Sequence, residues 1–204
     1  VYKRQEDENM SPETLVKIRR DEQLSAAKIL GVKDVRFLPF EDGGMYDEVA
    51  LRIEIAKVIA EIKPDVVIGP DHKLYPESHP DHLRVGEAVS KAYFMCGNVN
   101  MMKSVGATQI AKPTVLAYYF TGKPNRFVKI TKKDFEKTKA AYACFVSQCP
   151  PPDNGKSLML YMRLKVRLNG LRSFHIRADA FRVMNNMHIH CCGEAEDTAI
   201  KRPL

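Results

Sequence analysis

An α/β fold of three layers, with helices packed on a mostly parallel sheet, is predicted by three features of the 204-residue chain. Helical and strand patterns alternate twice within the first 70 residues, joined by short connections. The segment Val66-Val67-Ile68 is wholly apolar, as strands covered on both faces are. Turn-forming or histidine-bearing segments follow the first two predicted strands, at the sheet end where open α/β folds take their ligands.

Each element has its own signal. Ser11-Pro12-Glu13 reads as a helix start, with Ser as N-cap, Pro at the first helical position and an acid in the first turn. Leu15, Ile18, Ala26, Ala27, Ile29 and Leu30 give that helix a partial apolar face, and Gly31 ends it. Val35 to Phe40 reads as a short strand closed by Glu41-Asp42-Gly43-Gly44. A second helix is predicted from Asp47 to Ile62, broken by Pro64-Asp65 before the apolar strand at 66–68. A polar loop, 71–78, leads to a third helix running from His79-Pro80-Asp81-His82 to Cys96. Thr114 to Phe120 and Phe127 to Ile130 read as strands. Thr131 caps a helix predicted over 132–148, and Cys149-Pro-Pro-Pro152 stops it. An amphipathic stretch at 157–168, a segment at 178–184 and a polar tail at 185–204 complete the chain.

Composition narrows the function classes. With 45% hydrophobic residues the chain can build a core, which excludes both full disorder and a staple-dependent miniprotein. No run of about 18–20 uncharged apolar residues exists, so no membrane span is expected. Five Cys at irregular spacing argue against a disulfide framework and for a reducing cytoplasm. The net charge of +7 is concentrated: residues 123–182 carry 14 Lys/Arg against 4 Asp/Glu. Such a segment suits phosphate, an anionic lipid surface or nucleic acid, or is a solvated face. No dinucleotide fingerprint, Walker A loop, nucleophile elbow or CxxC pair is present.

The chemistry concentrates in His79-Pro80-Asp81-His82. At a loop–helix junction, one imidazole can ligate a metal while a carboxylate orients a ring and the second imidazole serves as acid or oxyanion donor. A loop with two surface His is the competing reading. The segments Ile18 to Glu22, Val35 to Gly43, Lys63 to Val67, His79 to Ala88 and Ala178 to Arg182, in that order, resemble the LmbE-like (PIG-L) family of zinc-dependent N-acetylglucosamine de-N-acetylases. The resemblance is good over 11–97 and weaker near 131–148 and 178–182, placing a Rossmann-like deacetylase domain at 11–184 after a separate segment at 1–10.

The resemblance implies roles for particular residues. His82 matches a zinc ligand, with another divalent metal as the alternative. His79 matches the His that assists the tetrahedral intermediate, and Asp81 the carboxylate that orients it. Arg19 and Asp42 match residues of the substrate pocket. Plainer readings remain for both: Asp42 as a turn-forming residue, and Arg19 as a surface residue paired with Glu22. The family's HPDDE segment, which supplies two more ligands and the general base, has no counterpart here, so the domain is expected to lack its first strand unit and to bind zinc weakly as given. Where relatives read His-x-Ser-Gln, this chain has Phe145-Val146-Ser147-Gln148.

The function so implied is metal-dependent removal of an N-acetyl group from an N-acetylglucosamine-type conjugate, with homo-oligomers a family trait. The alternatives are a non-catalytic sugar-binding relative and a basic nucleic-acid-binding protein; a nucleic-acid partner is not expected, because no RRM-, KH- or finger-like pattern accompanies the charge. The cluster His188-Ile189-His190-Cys191-Cys192 is read as tail or packing, and His72 and His175 as isolated histidines.

Overall fold

The computed structural model describes residues 11–75, 77–149 and 153–190. In order, its elements are α1 (Pro12–Leu30), α2 (Glu48–Ile62), β1 (Val66–Pro70), α3 (Pro80–Met95), α4 (Val99–Ser104), β2 (Val115–Tyr119), β3 (Arg126–Lys129), α5 (Lys132–Tyr142), α6 (Lys156–Arg172) and β4 (Ala178–Met184). The strands form one sheet in the order β1-β2-β4-β3. β1 and β2 pair in parallel, with Val66 opposite Val115 and Pro70 opposite Tyr119. β4 enters antiparallel to β2, with Ala117 opposite Val183. The chain forms an α/β fold in which the parallel pair lies at one side of a mixed sheet.

The described residues fall into two compact units, one of 11–37 with 128–149 and 153–179, the other of 38–75 and 77–127 with 180–190. In the second unit, α2 and α3 pack on each other and α3 lies along β1. Its core joins Ala56, Ile59, Val67, Val89, Ala92, Met102, Leu116 and Tyr118. Two small residues permit the close packing. A Cβ on Gly69 would press on Val89 of α3, and one on Gly86 of α3 would strike the carbonyl oxygen of Pro70. The end of β1 and the first turns of α3 are thereby held together.

The first unit is built on α1 and α5. Ser11 caps α1, its Oγ accepting from the Thr14 amide, and Gly31 closes it at φ 83°. Glu22 on α1 takes both the amide and the hydroxyl of Ser147, at 2.7 and 2.5 Å.

That last contact accounts for one departure from expectation. The helix predicted over 132–148 ends at Tyr142, and tight turns follow (Phe145 N to Tyr142 O, 3.1 Å). A helical Ser147 would donate its amide to Ala143; here the Glu22 carboxylate takes it, a charged acceptor outcompeting a carbonyl.

Residues 35–40 form no strand and end in a tight turn, Phe40 N to Leu38 O at 2.9 Å. Pro39 has no amide to give, and a ladder needs a neighbour to pair with; Phe37 instead lies under the Arg20 guanidinium, 4.9 Å from its ring centre. β1 is covered on one face only, leaving Ile68 56% exposed. The helix α4, capped by Asn98, carries no signal that the sequence reading used. His188 and His190 lie in turns, not on a strand, with His190 stacked on Phe94 at 5.6 Å, while Cys191 and Cys192 fall outside the described residues.

One buried ion pair ties the strand ends of the second unit. Arg182 of β4 meets Asp71, just past β1, through Nε at 2.9 Å and Nη2 at 2.5 Å. Arg182 also stands 4.6 Å over the Tyr118 ring. Burial works to raise the Asp71 carboxyl, but the bonds from Arg182, Thr121 and the Lys73 amide outweigh it, and its pKa is lowered. Because the folded pKa lies below the unfolded value of about 3.9, this contribution is complete above that pH and is lost as pH falls through the folded value. Arg182→Met should therefore strand the carboxylate and cost about 3–5 kcal/mol at neutral pH, read as a lowered urea midpoint. The gap from the parent protein should narrow in acid.

Candidate active site

The site grows from the loop that Asp71 anchors. Its carboxylate accepts from the Lys73 amide at 3.0 Å, and its amide donates to Tyr119 O at 2.9 Å. Two turns follow, Leu74 N to Asp71 O and Glu77 N to Leu74 O. Glu77 then organises what comes next. One carboxylate oxygen accepts from the amides of Ser78 and His79, at 2.9 and 2.8 Å. The other lies 2.8 Å from His82 Nδ1. These bonds, that from His82 foremost, hold the Glu77 carboxyl down at about 2. The ion remains charged across the whole range in which a hydrolase works.

His79 is the N-cap of α3 and Pro80 its first helical residue. As a cap, His79 Nδ1 accepts from the Asp81 amide at 3.3 Å. The two imidazoles of the tetrapeptide stack, centroids 4.6 Å apart with an angle of 22°, and His82 leans on Phe120 at 5.9 Å. Their outer partners are opposite in kind. His79 Nδ1 faces a donor, which leaves the proton on Nε2; His82 Nδ1 faces a carboxylate acceptor, which puts the proton on Nδ1 and frees the Nε2 lone pair. These tautomers follow from the hydrogen-bond partners.

Asp81 turns toward the 42–46 segment. Its Oδ2 accepts from the Gly43 amide at 2.8 Å and lies 3.8 Å from His79 Nδ1. Burial works to raise the Asp81 carboxyl, yet the neighbouring Asp42 side chain, the Gly43 amide, Tyr46 and the Gly44 amide bring it below its ordinary range. Burial and the Asp81 charge push the Tyr46 phenol up to about 12, so it remains a donor. Arg84 closes the turn from the next helical level: it donates to Gly44 O and stands 3.2 Å from Glu48. Gly44 sits at φ 73° with Pro80 where a Cβ would go, so the Gly-Gly turn is required by both backbone and space.

Four of the five residues singled out in the sequence, Asp42, His79, Asp81 and His82, thus share one locale in the second unit. Ligand atoms of Asp42, His79 and Asp81 lie within 4.8 Å of one another, a grouping able to hold a metal ion. Arg19 belongs to the other unit, half-buried on α1. Sequence reasoning missed Glu77. The available signal was an acid five residues before His82, across a turn that Ser78 and Pro80 shape.

An α/β fold with this constellation following β1 defines a class that comparison makes specific. Residues 2–93 match the PIG-L family, described as GlcNAc-PI de-N-acetylase. The chain is 30% identical over 188 residues to the diacetylchitobiose deacetylase of Thermococcus kodakarensis, covering 91% of this chain and 70% of that one. It belongs to this family of deacetylases. The N,N'-diacetylchitobiose deacetylase of Pyrococcus horikoshii superposes with a TM-score of 0.83 at 28% identity, covering 94% of this chain and 72% of that chain. A probable N-acetyl-alpha-D-glucosaminyl L-malate deacetylase of Bacillus anthracis is 39% identical over 84 residues, 39% of this chain and 35% of its own length.

The role of Glu77 is directly measurable. Glu77→Ala should speed hydrogen exchange of the Ser78 and His79 amides by about 10–100-fold, the worth of a charge-assisted bond, with amides in β2 unchanged.

Proposed function

We propose that the protein is a zinc-dependent hydrolase that removes the N-acetyl group from an N-acetylglucosamine-type amino sugar conjugate. The observation that carries the reading is the opposed kind of partner at the two Nδ1 atoms, an amide donor at His79 and the Glu77 carboxylate at His82. A His whose outer nitrogen donates to a carboxylate is the usual form of a zinc-binding imidazole, and Glu77 gives His82 that form. A His whose free nitrogen bears a proton is a hydrogen-bond donor, and the cap contact gives His79 that form.

The donor chemistry fits the metal in kind: an imidazole suits zinc, and Glu77 at Nδ1 leaves the His82 Nε2 lone pair for it. His82 would hold the ion. Zinc, when bound, brings the pKa of a water down to about 7 and so supplies hydroxide at neutral pH. His79 Nε2–H stabilises the oxyanion that develops on the acetyl carbonyl and can pass its proton to the departing amine. Asp81 fixes the Gly43-Gly44 turn through the Gly43 amide, which sets the Asp42 carboxylate against the sugar hydroxyls. The named activities of the relatives, deacetylation of diacetylchitobiose and of an N-acetylglucosaminyl malate, support the substrate class. Free thiols at Cys96, Cys144 and Cys149 suit a reducing cytoplasm.

A second arrangement has an observation of its own: the ion held by Asp42, His79 and Asp81. The lone pair of His79 Nδ1 is already engaged by the Asp81 amide, which favours His82 instead. Metal analysis of the full gene product separates the two. His82→Ala should lower zinc content, while His79→Ala should keep zinc and lower release of free amine from N,N'-diacetylchitobiose by about 10²–10³-fold. Zinc lost from Asp42→Asn and His79→Ala but kept in His82→Ala would support the second arrangement. Full zinc and full rate in every variant would refute both.

A further inference from the structure

Helix α6 presents to solvent a face that neither the fold nor the proposed chemistry uses. Its inward side is Val166, Asn169 and Gly170, all buried. At about 100° per residue, Leu160, Leu171, Leu164, Leu168 and Tyr161 fall in one outward arc of about 100°. Leu168 is 61% and Leu171 75% exposed, and Phe174, just beyond the helix, is 98% exposed.

The charges around this stripe are all of one sign. Residues 156–172 contain five Lys/Arg and no Asp or Glu. Lys156, Arg163 and Arg167 line one edge of the arc, and Lys165 and Arg172 the other, with Lys165 Nζ 5.9 Å over the Tyr161 ring. On the first edge the cations continue into a cleft of about 330 Å³ between α5 and α6, where Lys132, Lys139 and Arg177 join Arg163 and Leu160 against a single acid, Glu136.

We propose that α6 docks this face on an anionic lipid surface, with the leucine stripe at the acyl boundary and the flanking cations among headgroup phosphates. A narrow apolar arc rimmed on both sides by long basic side chains is the pattern of a helix lying in a membrane interface. Two copies of the same face would bring five positive charges against five. No helix among the described residues is long and apolar enough to cross a membrane.

Co-sedimentation with vesicles tests this. The protein should pellet with phosphatidylcholine vesicles that contain phosphatidylserine and remain in solution with phosphatidylcholine alone. Leu164→Glu/Leu168→Glu should weaken partitioning by more than about tenfold. Arg163→Gln/Arg167→Gln should weaken it about five-fold per charge, and added salt should mimic that change. Both pairs are exposed, so unchanged circular dichroism and urea midpoints will exclude a folding defect. Equal binding to neutral vesicles, no binding to anionic ones, or a self-associated species in sedimentation velocity that Leu164→Glu/Leu168→Glu dissociates would overturn the proposal; the last would assign the face to a second copy.

Discussion

The second unit depends on the buried contact between Asp71 and Arg182. It is an ion pair formed 111 residues apart in sequence, removed from water and satisfied by several donors at once. Such a pair gives little net stability against an apolar substitute, but breaking one half leaves an uncompensated charge. Its consequence here is positional. The chain leaves β1 and meets a fixed point within one residue, and the Lys73 amide and two successive turns are measured from it. Glu77 arrives where it can reach the first turn of α3 because Arg182 and the Lys73 amide hold Asp71. Gly69 and Gly86 supply the complementary constraint, letting α3 close on β1 until a methyl group would not fit.

From these two constraints the site's polarity follows. One helix terminus carries two stacked imidazoles, and the local backbone gives them different surroundings. His79, as N-cap, must accept from an amide; His82, one turn later, must donate to Glu77. The same residue type three positions apart thus acquires two proton placements, the pair that the proposed chemistry uses. Asp81, between them, accepts from the Gly43 amide, which couples the ends of two separate segments, and lies 3.8 Å from His79 Nδ1.

Much of this was legible in the sequence where the signal is local. Ser11-Pro12 and Gly31 mark both ends of α1, and Thr131 marks the start of α5, because caps act through neighbours in the chain. What the sequence could not reveal depends on partners far away. The 35–40 segment has strand composition but no adjacent strand, and the helix after Thr131 gives way where Glu22 captures Ser147 across 125 residues. The exposed face of β1 likewise reflects what lies beside it rather than its own apolar run. Among site residues, His79, Asp81 and His82 announced themselves as a tetrapeptide and Asp42 by its place after a predicted strand. Glu77 is an ordinary acid in a polar loop until a fixed turn brings it to two amides and an imidazole.

The central claim is that the two imidazoles carry their protons on opposite nitrogens. Long-range proton–nitrogen correlation spectra of the neutral histidines test it most directly. The account predicts His82 as the Nδ1–H tautomer and His79 as the Nε2–H tautomer. The same tautomer at both positions, or the reverse pair, would contradict it.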